Sequence, residues 1–145
     1  MATFREREGQ CLCGAVTVRA EVSDELMACH CTQCQRWTGG GPLYSLDVRG
    51  AEVTGAEHVV SYRHSAHGER CHCAVCGSVL WWKMQARPIS SITPGLLDDK
   101  TGLRFVREIF TDTRAPWMAP VDGAEQTTEA EEMEKLAAWK REHGQ

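Results

Sequence analysis

From Ala15 to Val22 the chain reads AVTVRAEV, with Val16, Val18, Ala20 and Val22 alternating against Ala15, Thr17, Arg19 and Glu21. That period of two belongs to a strand with one face buried. PLYSLDV, HVVSYR, SVLWW, ISSIT and RFVREIF are further short runs rich in β-branched and aromatic residues, separated by turn-forming residues. The pattern predicts about six or seven strands. Only TTEAEEMEKLAAWKREHG has a helical signature. Thr128 and Glu131 suit a capping box, acids crowd the first turn, and Lys140, Arg141 and His143 close the last. Ala130, Met133, Leu136 and Ala137 give it a narrow apolar face, expected to dock on the β domain or on a second copy, with Trp117 and Trp139 near that contact. The stretch 115–123, with Pro116, Pro120 and Gly123, reads as a linker. The expected architecture is therefore all-β (mainly β): short, twisted antiparallel sheets over residues 1–123, and a C-terminal helix over 124–145 that belongs to the same domain or forms a homodimer contact.

Length and composition agree with one globular domain, since 145 residues with 42% hydrophobic and 25% charged positions can enclose a core. No run of about 18 apolar residues occurs, and MATFREREGQ lacks the apolar centre of a signal peptide, so the expectation is a cytoplasmic protein without a membrane partner. A formal net charge of -4 and the lack of a basic cluster argue against nucleic acid.

The cysteines change the picture. Eight in a reducing compartment point to metal rather than disulfides. They fall in groups: Cys11 and Cys13; Cys29, Cys31 and Cys34; Cys71, Cys73 and Cys76. In extended chain, residues i and i+2 face the same side, so Cys11 and Cys13 can share one ion. CAVCG supplies a second pair, Cys73 and Cys76, with Gly77 letting the backbone fold behind them. Four thiolates with no open position make a structural zinc site, of a kind that contributes about 10 kcal/mol to the folding of small domains. Four reduced core thiols would leave the paired spacing unexplained, and a redox Cys-x-x-Cys would need a βαβ setting that is missing here. Cys71 is expected to be buried.

CHCTQC, residues 29–34, differs. Cys29 and Cys31 share a side, a turn through Thr32 and Gln33 brings Cys34 to the same point, and His30 faces away as a hydrogen-bonding or packed residue. Three sulfurs without an evident fourth ligand describe a zinc with a vacant position, the arrangement of catalytic sites. The alternative is a closed Cys₃His site completed by His58, His64, His67 or His72.

CLCG, CHCTQCQRWTGGG, CAVCG, PGLLDD and APWM, in that order between Cys11 and Trp117, resemble the glutathione-dependent formaldehyde-activating enzyme family, also called the centromere protein V family. The resemblance implies a zinc-stapled all-β fold with two zinc ions per chain, one structural and one held near the substrate by Cys29, Cys31 and Cys34. It also implies a carbon–sulfur lyase-like activity, joining a thiol such as glutathione to a small aldehyde, or the reverse, as in S-(hydroxymethyl)glutathione synthase. The chain departs from the family at Gln35, where a basic residue is usual, at His64-Ser65, where a Ser-Ser pair is usual, and at His72, where an aromatic is usual. Such loop residues are expected to touch substrate. An anionic thiol on an acidic protein needs local cations, for which Arg36, Arg63 and Arg70 are the candidates nearest the cysteines in sequence. The competing readings are a zinc-stapled binding or scaffold module, acting through the Gly39–Gly41 loop and the C-terminal helix, and methionine sulfoxide reduction with Cys71 as nucleophile, which lacks a free resolving cysteine.

Overall fold

Strands account for 42% of the protein and helices for 21%, so the chain is mainly β. The computed structural model describes residues 1–144. Its strands are β1 (Phe4–Gln10), β2 (Thr17–Cys29), β3 (Leu43–Thr54), β4 (Val59–Arg63), β5 (Gly68–Cys73), β6 (Val79–Met84), β7 (Ser91–Ile92), β8 (Arg104–Ile109) and β9 (Glu125–Gln126). The α-helices are α1 (Thr32–Thr38) and α2 (Glu129–Glu142), and the remaining helical residues form the 3₁₀ turns Ala56–His58, Pro94–Leu96 and Thr111–Thr113. One sheet runs in the order β7-β3-β2-β8-β9 with β1 on β2, and a second in the order β4-β5-β6. Among the described residues no helix is long and apolar enough to cross a membrane.

The chain divides into two compact units, one of residues 1–26 and 45–104, the other of residues 27–44 and 105–145. In the first unit β1 and β2 form an antiparallel hairpin, from Phe4 opposite Ser23 to Gln10 opposite Thr17. The alternation along β2 buries Val16, Val18, Ala20 and Val22 as expected, with Leu46, Leu80, Trp81, Ile92, Leu96 and Leu97 in the same core. β4, β5 and β6 pair antiparallel, with a register shift opposite Cys71 and His72 that leaves Leu80 of β6 as the extra residue of a bulge, just before Cys73.

β1 carried no apolar alternation because its inward positions are Arg7 and Gly9. The Arg7 guanidinium donates to the Asp99 and Thr101 carbonyls, both at 2.7 Å, and so turns a charged residue into a peg for the loop before β8. Gly9 lies against the Leu96–Leu97 backbone, with which it forms a β-bridge at Leu97.

In the second unit β8 pairs parallel with β9, Arg107 opposite Glu125 and Glu108 opposite Gln126. The capping box predicted for α2 is present in both directions between Thr128 and Glu131. Its N-terminus is fastened by Glu129 N–H to Asp112 (3.0 Å) and by Thr127 to Glu132 (2.8 Å). No residue of α2 is buried: Met133 and Ala137, two residues of the apolar stripe, are exposed and Leu136 is half-buried. Half-buried Trp139 stacks on His143, one turn along the same segment, with ring centroids 4.1 Å apart. Polar capping fastens the start of the helix.

A Cβ at Gly9 would sit 2.1 Å from the Leu96 carbonyl oxygen. Backbone on both sides leaves no side chain to swing away, so Gly9→Ala is expected to cost about 2–4 kcal/mol. Urea unfolding would measure it, and a loss under about 0.5 kcal/mol, the range of an ordinary surface substitution, would contradict the close approach.

Candidate metal centres

The β1–β2 turn brings Cys11 and Cys13 to one side. Gly14 N–H closes the turn onto the Cys11 carbonyl (3.1 Å), with Gly14 at a φ of 82° that favours glycine. The Val16 N–H points at the Cys11 sulfur and the Ala15 N–H at the Cys13 sulfur, each at 3.4 Å. A similar turn follows β5. Gly77 N–H returns to the Cys73 carbonyl (2.8 Å), Cys73 N–H to the Ser78 carbonyl (3.0 Å), and Ser78 Oγ stands 3.2 Å from the Cys76 sulfur. The two turns are joined by Leu12 N–H donating to Ser78 Oγ at 3.0 Å.

The four sulfurs of Cys11, Cys13, Cys73 and Cys76 lie within 4.8 Å of one another. Cys11 is 3.7 Å from both Cys13 and Cys73, and Cys13 is 3.9 Å from Cys73. Tetrahedral thiolates about 2.3 Å from a zinc ion stand about 3.8 Å apart. These spacings are far too long for disulfides, and all eight cysteines are free. The electrostatics agree. The Ser78 hydroxyl and then its N–H lower the Cys76 thiol to about 5. At Cys13 the Ala15 N–H favours the thiolate, but burial and the sulfurs of Cys11, Cys76 and Cys73 outweigh it and push the thiol up to about 11. One member ionises readily at the expense of another, a conflict that a bound dication removes.

The second cluster is built differently. Cys29 ends β2, and Cys31 caps α1, its sulfur accepting from the Cys34 N–H at 3.3 Å. Buried Cys34 lies in the first turn, and the three sulfurs sit within 4.8 Å of one another. Among the described residues no histidine nitrogen is grouped with these three sulfurs. The thiols of Cys31 and Cys34, and then burial, push the Cys29 thiol up. Here too a cation is what would let all three ionise together. The two clusters can each hold a metal ion.

His30 faces away from the sulfurs, as its position between Cys29 and Cys31 implied. Its Nε2 lies 2.7 Å from Glu108 Oε1, and both side chains are almost wholly buried. The other carboxylate oxygen accepts from Val121 N–H (2.9 Å) and Gln126 Nε2 (2.7 Å), with the Arg114 guanidinium at 3.4 Å. Burial opposes the charge on Glu108, but these donors outweigh it and hold the carboxyl below the usual range. Glu108 escaped the sequence reading because RFVREIF was seen only as a strand. The one available hint was an acid inside an apolar run.

Several singled-out residues have structural work instead. Gln35 donates to the His30 and Thr113 carbonyls at 2.9 and 2.8 Å rather than reaching outward. His64 accepts from Trp82 Nε1 at 2.7 Å, and Ser65 Oγ caps the N–H groups of His67 and Gly68. Cys71 is buried, and burial raises its thiol, which makes it a poor nucleophile. Of the three candidate arginines, Arg36 is exposed on α1 two residues after Cys34, Arg63 is exposed at the end of β4, and Arg70 is buried on β5.

Comparison with known proteins agrees with this chemistry. Residues 6–113 match the family model described as "Glutathione-dependent formaldehyde-activating enzyme". A Schizosaccharomyces pombe protein named "Uncharacterized lyase" is 32% identical over 78 residues, covering 53% of this chain and 57% of that protein. A Halomonas elongata protein named "Putative glutathione-dependent formaldehyde-activating enzyme" is 35% identical over 101 residues, covering 58% of this chain and 63% of that protein. The chain thus spans less than two thirds of either relative. A crystal structure of a Rhodobacter sphaeroides protein shares the fold, with a TM-score of 0.50 at 20% identity, covering 83% of this chain and 99% of that one.

The depressed carboxyl of Glu108 carries a pH dependence. Its stabilising contribution is complete above the unfolded carboxylate pKa, about 4.3, and is lost as pH falls through the lower folded value. Glu108→Gln is therefore expected to be less stable than the parent by about 2–4 kcal/mol at pH 7, the gap narrowing below about pH 4. Denaturant unfolding across pH checks this, and a gap that stayed constant or widened in acid would refute it.

Proposed function

The chain belongs to the glutathione-dependent formaldehyde-activating enzyme family, and from that premise we propose that it is a zinc-dependent carbon–sulfur lyase acting on a thiol–aldehyde adduct. The observation that carries this reading is the unequal pair of sulfur clusters, one with four members and one with three. The first, Cys11, Cys13, Cys73 and Cys76, is a closed structural zinc site. The second, Cys29, Cys31 and Cys34, holds a zinc with a position to spare. A zinc bound there supplies a Lewis acid that keeps an incoming thiol ionised at neutral pH.

The reaction is the addition of a thiol, with glutathione the expected substrate, to formaldehyde. The sulfur forms a bond to the carbonyl carbon, the C=O π pair moves to oxygen, oxygen takes up a proton, and the thiol's own proton is released. Reversal breaks the same bond. Thiol addition to formaldehyde is fast in water, so the enzyme gains most by holding the partners together, where effective molarity outweighs the roughly 30-fold gain in thiolate fraction at neutral pH. The protein's part is to keep three sulfurs converged on a braced loop. Exposed Arg36, in the same unit, offers a cation to an anionic thiol.

Two zinc ions of unequal affinity are expected, the ion at Cys29, Cys31 and Cys34 leaving first under a chelator. Cys76→Ser should aggregate or melt well below the parent, whereas Cys34→Ser should stay folded with one zinc. Elemental analysis beside thermal melts decides it, and two variants melting like the parent would reverse the assignment of roles.

Glutathione binding should release a proton near neutral pH, read by calorimetry in buffers of different ionisation enthalpy, and the release should vanish in Cys34→Ser. Exchange between formaldehyde and its glutathione adduct should run faster than in buffer alone. A two-zinc protein with neither effect would be the binding or scaffold module instead.

A further inference from the structure

His30 is held by its backbone N–H, its backbone carbonyl and its ring Nε2. Its N–H donates to the Ile109 carbonyl at 3.0 Å, and its carbonyl accepts from Gln35 Nε2 at 2.9 Å and Thr113 Oγ1 at 3.0 Å. Its Nε2 meets Glu108 at 2.7 Å. The residue so held lies between two sulfur ligands, with only a peptide bond on either side. A carboxylate 1% exposed with four polar partners is costly to build unless the geometry it fixes is used.

We propose that Glu108 is a positioning residue of the three-cysteine site, acting through His30 to hold Cys29 and Cys31 in ligand-ready geometry before metal arrives. The same carboxylate binds Val121 N–H and Gln126, so the segment after β8 and the cysteine loop share one anchor. With Glu108 absent, His30 keeps its backbone bonds but loses its side-chain tether, and the metal must then order the loop as it binds. Groups that orient metal ligands from outside the coordination sphere are commonly worth about ten- to a hundred-fold in metal affinity.

The inference rests on the reading that Cys29, Cys31 and Cys34 hold a metal ion, and the test separates the two. Zinc affinity is measured by chelator competition, and cobalt is added to the metal-free protein to read ligand geometry from its absorption spectrum. The expected result for Glu108→Leu, which leaves the His30 ring without its acceptor, is a loss of about tenfold or more at the weaker site, with altered cobalt bands there and no change at the four-cysteine site. His30→Leu should do the same. His30→Gln, whose amide can still donate to Glu108, should recover most of the affinity. Ile92→Val, a core truncation in the other unit, controls for lost stability and should leave both affinities unchanged. If Glu108→Leu does not fold, Gln126→Ala, which removes one of the carboxylate's donors, should give a smaller shift in the same direction. A parent that binds one ion overturns the metal reading and this proposal with it. A parent that binds two, with His30→Leu and His30→Gln both matching it at the weaker site, overturns this proposal alone.

Discussion

Sulfurs about 3.8 Å apart cannot all ionise unless something positive lies between them. Two unit charges 4 Å apart repel by about 4 kcal/mol at the effective dielectric of a protein surface, and the four-cysteine cluster contains six such pairs. The Ser78 hydroxyl and N–H draw Cys76 toward the thiolate, while at Cys13 the Ala15 N–H is outweighed by burial and the neighbouring sulfurs, which hold it as the thiol. The Val16 and Ala15 N–H groups and the Ser78 hydroxyl point at these sulfurs, enough to orient them but not to neutralise them. A dication supplies what they lack, and in doing so it fastens the β1–β2 hairpin to the β5–β6 turn across a sequence separation of 62 residues between Cys11 and Cys73.

The three-cysteine cluster meets the same constraint with one sulfur fewer and more support from outside. Among the described residues the sulfurs of the first cluster sit on two short turns, whereas the second has the His30–Glu108 pair beside it. A closed tetrahedron locks its own geometry once formed. If the three-cysteine cluster holds a metal with an open position, that position cannot supply its shape, and rigidity would have to come from the surrounding hydrogen bonds. Glu108 on the His30 ring, and Gln35 and Thr113 on the His30 carbonyl, are the bonds placed to do so.

What the sequence made legible follows from how locally each feature is encoded. β2 was plain because apolar residues alternate along it, and the cap of α2 because Thr128 and Glu131 are three residues apart. Both cysteine groupings could be read from spacing, since a metal site leaves its geometry in the chain. β1 was hidden because its inward side chains are an arginine and a glycine, whose burial depends on the carbonyls of Asp99 and Thr101, more than 90 residues away. β5 was hidden because GERCHC buries Gly68, Arg70, Cys71 and Cys73, a set with no apolar rhythm. α1 is only 7 residues long and is set by the Cys31 cap rather than by propensity. Glu108 could not be recognised, because its meaning arises from His30, 78 residues earlier.

Gln35 illustrates how a departure from a family pattern can preserve the physics. A basic residue is usual at that position, and exchanging its charge for an amide first reads as a lost substrate contact. In this fold the side chain turns inward and donates to two carbonyls, His30 and Thr113. Lysine and arginine likewise carry N–H donors at their tips, so the feature shared by the three residues is the ability to satisfy carbonyls, not the charge. Glutamine does so without placing a cation beside the Arg114–Glu108 pair and without the desolvation cost of burying one. The exchange therefore keeps the brace on the cysteine loop, and any charge needed for an anionic thiol must be supplied from the exposed surface, where Arg36 stands one residue further along the same helix.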